Sequence, residues 1–168
     1  MTRECHVRIR ERLRGKFPWP TRHFGMKAHV GVDSKSKLIH AVVATPANVA
    51  DAGVLPDLLH GDETRVWGDQ AYRGQGRVLE EYAPRAQDFT CQRYRYKNRI
   101  DELERAKNRT KAKVRSKVEH VFAVMKLKFG FVKVRYRGIA KNANRLFATC
   151  ALVNLFLVRK KLLGMTAA

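Results

Sequence analysis

Residues 114–126 read VRSKVEHVFAVMK. Val114, Val118, Val121, Phe122 and Met125 recur at helical spacing and form one apolar stripe. At about 100° per residue, Glu119 projects about 100–160° away from most of that stripe. Arg115, one turn earlier, and Lys126, two turns later, project within about 40° of Glu119. One helix therefore buries one face and presents a carboxylate flanked by two cations. The ordinary account is a surface helix with an i,i+4 ion pair worth about 0.2–0.5 kcal/mol. The other is a carboxylate held for chemistry, and the rest of the chain decides between them.

On the N-terminal side of this helix, residues 93–117 are densely basic and then helical, with Glu102 and Glu104 among the cations. They read equally well as a solvated basic face or as a track for a DNA backbone. Tyr94, Tyr96 and Tyr136 among the cations favour nucleic acid slightly. On the C-terminal side, residues 129–137 (FGFVKVRYR) alternate apolar and basic side chains. Residues 142–163 read as a final helix ending in Arg159, Lys160 and Lys161, which suit a helix C-terminus. The apolar run 146–158 inside it is too short to span a bilayer and is interrupted by Asn154, so it reads as a buried helix.

Further back, residues 24–32 alternate as a half-buried strand, residues 33–37 form a polar turn, and residues 38–45 form a second strand, which makes a hairpin. Pro46 ends it. Asn48 or Asp51 can cap a short helix running to Leu59, with Pro56 early in it or bending it. Residues 65–69 (RVWGD) are a short third strand, joined by a right-handed crossover. Residues 75–82 make another helix, ended by Pro84, and residues 88–93 a possible last strand. Residues 1–23 carry seven Arg or Lys and no clean period, and read as a basic, loosely ordered leader before a domain at 24–168.

The 168 residues fit one domain, and with 45% hydrophobic residues it can bury a core. A net charge of +20 makes a polyanion the default partner and nucleic acid the first guess. Cys5, Cys91 and Cys150 have neither metal-ligand spacing nor an even count, so reduced thiols in the cytosol are the simple reading. There is no apolar run of signal-peptide type near Met1. His29, His40, His60 and His120 share no metal-ligand spacing, and Trp67 and Tyr72 read as core residues.

Asp69 ends a short apolar strand, which puts a carboxylate at the crevice where open α/β sheets place their sites; alone, it is as readily a strand-end cap. Carboxylates converging from Asp69 and Glu119 would suit Mg²⁺ or Mn²⁺, which take hard oxygen ligands and complete the shell with water and substrate phosphate. Two such ions can clamp the attacking and leaving oxygens of a phosphoryl displacement.

Several stretches together resemble bacterial insertion-sequence transposases of the DDE class: residues 23–33 (HFGMKAHVGVD), 46–51 (PANVAD), 58–63 (LLHGDE), 68–72 (GDQAY), 114–126 and 129–142 (FGFVKVRYRGIAKN). The resemblance runs from His23 to the C-terminus. Its best motif is Arg115, Glu119 and Lys126, where the family carries its catalytic Glu with flanking Arg and Lys. The family's Tyr ahead of that Arg falls at Ala112. GDQAY matches the place of the second catalytic Asp, Asp69.

The resemblance implies an α/β, ribonuclease H-like mixed sheet with flanking helices. It implies Asp69 and Glu119 as metal-binding catalytic carboxylates, Arg115 and Lys126 as catalytic partners, and Mg²⁺ (or Mn²⁺) as cofactor. The expected partner is double-stranded DNA, as transposon ends and target, along Arg93, Arg95, Lys97, Arg109, Lys111, Lys113, Lys133, Arg135 and Arg137. A homo-oligomer when intact, a place in the bacterial cytoplasm at the nucleoid, and no membrane are also expected. The family's first catalytic strand should precede Phe24 as an apolar run ending in Asp. No Asp occurs before Asp33, and Asp33 falls in the turn after what would be the second strand. The expectation is thus a partial catalytic domain with its first catalytic strand missing, from a truncated copy. The competing readings are a DNA-binding remnant that cannot catalyse, and an unrelated basic RNA-binding protein, which would have no need of GDQAY and the Arg-Glu-Lys helix.

Overall fold

The computed structural model describes residues 3–5, 25–96 and 99–166. Its architecture is mixed α/β. Among the described residues it has one sheet of three strands, two sheets of two strands and three α-helices.

The hairpin comes first in the construction. β2 (Met26–Val32) and β3 (Ile39–Pro46) pair antiparallel, from Met26 opposite Pro46 to Val32 opposite Ile39. The expected polar turn is an Asp-centred one. The Asp33 carboxylate accepts the Ser36 amide at 2.8 Å and the Ser36 hydroxyl, and Lys37 takes a left-handed φ of 62°. The register slips between Gly31 and Val32, leaving His40 as an extra residue in β3. That bulge switches faces. Ile39 joins Ala28, Val30 and Val32 on one side, and Ala41 turns to the other. Gly31 lies under the His40 ring, where a Cβ would sit 2.7 Å from His40 Cε1.

The hairpin is therefore a wall between two cores. On one side pack α2 (Glu102–Leu127), through Val118, Val121, Phe122 and Met125, and α3 (Ile139–Thr166), through Leu146, Cys150 and Val153. The 114–126 stripe faces the core as its period requires, within one longer helix capped by Asp101, whose carboxylate accepts the Glu104 amide at 3.0 Å. Asn154, the polar break in the apolar run, binds both backbone groups of Ile39 at 2.8 Å, satisfying strand polar groups beside the bulge. Among the described residues, no helix is long and apolar enough to cross a membrane.

On the other side of the wall, Ala41 meets Val54, Leu55, Leu58, Val66, Tyr72 and Leu79. The expected helix up to Leu59 is instead two 3₁₀ turns, Asp51–Val54 and Pro56–Leu58. Pro56 cannot donate to a continuous helix, and Asp51 pairs with Lys27 at 3.0 Å instead of capping. β4 is Glu63–Val66, shorter and earlier than the expected 65–69, and β5 is only Gln87–Asp88, parallel to it. Hydrogen bonding continues past β5, with the Phe89 amide on the Val66 carbonyl (2.8 Å) and the Cys91 amide on that of Gly68 (3.0 Å). α1 (Gly76–Tyr82) closes this side.

Within the stretch read as a leader, β1 (Arg3–Cys5) pairs parallel with β4, Glu4 opposite Arg65, and lies beside β2. The rest of that stretch lies outside the described residues. The basic segment before α2 is a small hairpin, β6 (Arg95–Tyr96) with β7 (Arg99–Ile100), and the alternating FGFVKVRYR segment is a loop. Asn142 holds that loop by accepting the Arg135 and Tyr136 amides, both at 3.1 Å, while Arg145 donates to the carbonyls of Lys133 and Gly130.

Candidate active site

Asp69 lies three residues beyond β4, at the start of the 3₁₀ turn Gln70–Tyr72, where its Oδ1 accepts the Gln70 amide at 2.7 Å. The cap reading of this residue is thus met in full, and the cap also fixes the carboxylate in space. Gly68 lets the chain close up, since a Cβ there would sit 3.1 Å from both Thr90 Oγ1 and Tyr72 Cβ. Trp67 and Tyr72 are buried, and Trp67 stacks on Phe89 with centroids 4.4 Å apart.

Glu119 reaches the same place from α2. Arg115 links the two: its Nη1 donates to Asp69 Oδ1 at 3.1 Å, and its Nη2 to Glu119 Oε1 at 3.5 Å. One guanidinium thus spans two carboxylates fifty residues apart. Asp69 is mostly covered, with 20% of its side chain exposed, whereas Glu119 is 66% exposed. Lys126 shares this face two turns further along, about 10 Å from Glu119 at 1.5 Å per residue.

The same face carries Asn108, which the motif reading passed over, and Lys111, which it gave to DNA. Asn108 pairs with both backbone groups of Gln92, donating to its carbonyl at 2.7 Å and accepting its amide at 3.2 Å. Lys111 donates to the Thr90 carbonyl at 3.0 Å and lies 3.6 Å from Glu104. Their spacing, seven and four residues before Arg115, was the available signal, since both positions share its face. α2 is thereby fastened to residues 90–92, and Cys91 in turn holds Gly68, next to Asp69. The Cys91 thiol is pushed above its ordinary pKa, first by burial; Arg115 works against this and Asp69 with it.

Asp33 stands apart. Burial acts to raise its pKa, but the Ser36 hydroxyl and amide and the Lys35 amide outweigh it, and the net shift is downward. Its lone pairs serve the hairpin turn, and that turn touches α2 through Lys117, on the far side from Arg115 and Glu119.

Of the expected DNA-facing cations, Arg93, Arg95, Arg109, Lys113, Lys133, Arg135 and Arg137 are exposed. Lys111 is turned inward as described, and Lys97 lies outside the described residues. Gln70, next to Asp69 in the chain, lines an open cavity of about 460 Å³ with Arg93, Tyr94 and Arg95. Two carboxylates that share one cation, the Glu119 one mostly exposed, are of the chemistry that a hard divalent cation takes. Among the described residues, no third His, Cys, Asp or Glu joins them to make a larger cluster.

No solved structure matches the chain. A family model, the transposase DDE domain, matches residues 6–155. Its match begins within the stretch read as a leader and takes in the Asp69 turn, α2 and more than half of α3. The chain belongs to the transposase DDE-domain family, whose members act on DNA and generally use divalent metal ions.

Proposed function

We propose that this chain is the catalytic domain of an insertion-sequence transposase, with Asp69 and Glu119 as carboxylates of its Mg²⁺ or Mn²⁺ site, for DNA cleavage and strand transfer at transposon ends. The observation that carries the reading is that Asp69 Oδ1 and Glu119 Oε1 accept from the same Arg115 guanidinium. A ribonuclease H-like arrangement is supported by the parallel succession β1-β4-β5 beside the β2-β3 hairpin. When bound, the metal would stabilise charge on the transferred phosphoryl group. The protein's own part is to hold that site rigid through Asn108 and Lys111, and to align DNA along Arg93, Arg95 and the 133–137 loop. Lys126 extends the cationic side of the site. Exposed Phe147, Leu152 and Leu155 on α3 support self-association.

A second reading, a DNA-binding remnant that cannot catalyse, is favoured by one observation. The cluster offers two carboxylates where the family uses three. Glu4, the one acid on β1, sits opposite Arg65, about 13 Å short of the level of Asp69 at 3.3 Å per residue. β1 thus lies along β4 without bringing a carboxylate level with Asp69. A nicking and strand-transfer assay with Mg²⁺ or Mn²⁺, on DNA bearing the element's ends, separates the readings. Activity lost in Asp69→Ala and Glu119→Ala establishes the first. Inactivity of a chain that still binds this DNA establishes the second.

A further inference from the structure

We propose that Arg115 is a displaceable counter-cation. It fills the gap between Asp69 and Glu119 while no metal is bound, gives way to a divalent ion, and is then free to bind a DNA phosphate. This rests on the metal-site reading above and adds a coupling to it: metal and DNA bind cooperatively through one side chain.

Three features carry the inference. The guanidinium fork is split, one nitrogen on each carboxylate, at 3.1 and 3.5 Å. A hard divalent ion draws carboxylate oxygens to about 2.1 Å, so it competes with the guanidinium for Asp69 Oδ1 and Glu119 Oε1. The contact is also exchangeable, because its Glu119 arm is long and mostly exposed, and exposed pairs contribute little. Finally, Arg115 is not needed to dock the helix. Asn108 and Lys111 already fasten α2 to Gln92 and Thr90, so the side chain can leave while Glu119 stays in place.

The destination is adjacent. The cavity lined by Gln70, Arg93, Tyr94 and Arg95 includes the chain neighbour of Asp69, and a released Arg115 would join its two guanidinium groups in binding phosphate. A planar fork suits phosphate oxygens. By reciprocity, whatever the metal adds to DNA affinity, DNA adds to metal affinity.

The test is Mn²⁺ binding, followed by electron paramagnetic resonance, in the wild-type chain, Arg115→Gln, Asp69→Asn and the double variant. Arg115→Gln is expected to bind Mn²⁺ about 2- to 5-fold tighter than wild type, the scale of one partly exposed charge pair, and Asp69→Asn should remove that site in both backgrounds. If Asp69→Asn removes the site but Arg115→Gln binds no tighter, the displacement proposal is overturned and the metal site stands. If Mn²⁺ binding is absent or indifferent to Asp69→Asn, the metal-site reading fails and takes the proposal with it. Should Arg115→Gln not fold, the wild type decides. The Arg115 Nε–H resonance is expected to move as Mg²⁺ saturates the site, and an unmoved resonance overturns the proposal.

Discussion

Arg115 and Lys117 leave α2 in opposite directions, one reaching Asp69 Oδ1 at 3.1 Å and the other the Ser34 carbonyl at 2.7 Å. The helix thus stands between the Asp33 turn and the Asp69 turn. Asp33→Ala is expected to leave Mn²⁺ affinity unchanged while costing about 0.5–2 kcal/mol of stability, the loss of the turn's charged hydrogen bonds. Parallel metal titration and urea unfolding check this. A large loss of metal affinity with little loss of stability would make Asp33 a ligand.

Asn108 is the most economical point at which to loosen the site. Asn108→Ala removes both bonds to Gln92 and leaves two backbone groups to find water, a cost of about 1–3 kcal/mol. Urea denaturation measures the cost. Hydrogen exchange should show the Gln92 amide losing protection before the hairpin amides do.

Acid should destabilise the fold through His29. Burial lowers its pKa below 6.5, with Lys27 acting the same way and Asp51 opposing. The folded state therefore binds the proton more weakly than the unfolded state. The stability this represents is complete above 6.5 and falls as pH drops from there to the folded value, by up to about 1.4 kcal/mol per unit. Melting temperatures at pH 7.5, 6.5 and 5.5 should decline in that window, and His29→Gln should flatten the decline. The ring bonds Thr45 Oγ1 at 2.8 Å, which Gln can replace in kind.

DNA affinity should depend steeply on salt, and the exposed cations should carry that dependence. Arg135→Gln with Arg137→Gln is expected to reduce the log–log salt slope by about 1–2 on duplex DNA. Lys111→Gln, whose ammonium is tied to Thr90 and Glu104, should cost stability and leave the slope unchanged. Fluorescence anisotropy across a salt series distinguishes the two effects.

What could be read in advance was what repeats or punctuates. The stripe from Val114 to Met125 has a period, the β2-β3 alternation has another, and both predicted which side faces the core. Asp69 and Glu119 were legible because each lies in a recognisable run. The 3₁₀ turns were not, because Asp51 reads as a cap until Lys27, twenty-four residues away, claims it. The FGFVKVRYR loop alternates like a strand, yet its backbone groups are taken by Asn142 and Arg145 from a later helix. Asn108 and Asn154 bind backbone 16 and 115 residues away, and a lone Asn gives no sign of which segment it will bind.

The hairpin wall has a consequence for how the molecule breathes. Glu119 rides on a helix seated in the core of Val30, Val121 and Leu146, whereas Asp69 follows a strand seated in the core of Leu58, Val66 and Tyr72. Apart from the hairpin itself, the second core is built from 3₁₀ turns, strands two to four residues long and the seven-residue α1, so it should open first, as a separate cooperative unit. The two carboxylates then belong to different unfolding units, and any ligand that grips both acts as a clasp between them. Amides of Phe89 and Cys91 should exchange through an opening that leaves residues 118–125 protected. A divalent ion should slow that exchange without altering the slowest amides of α2.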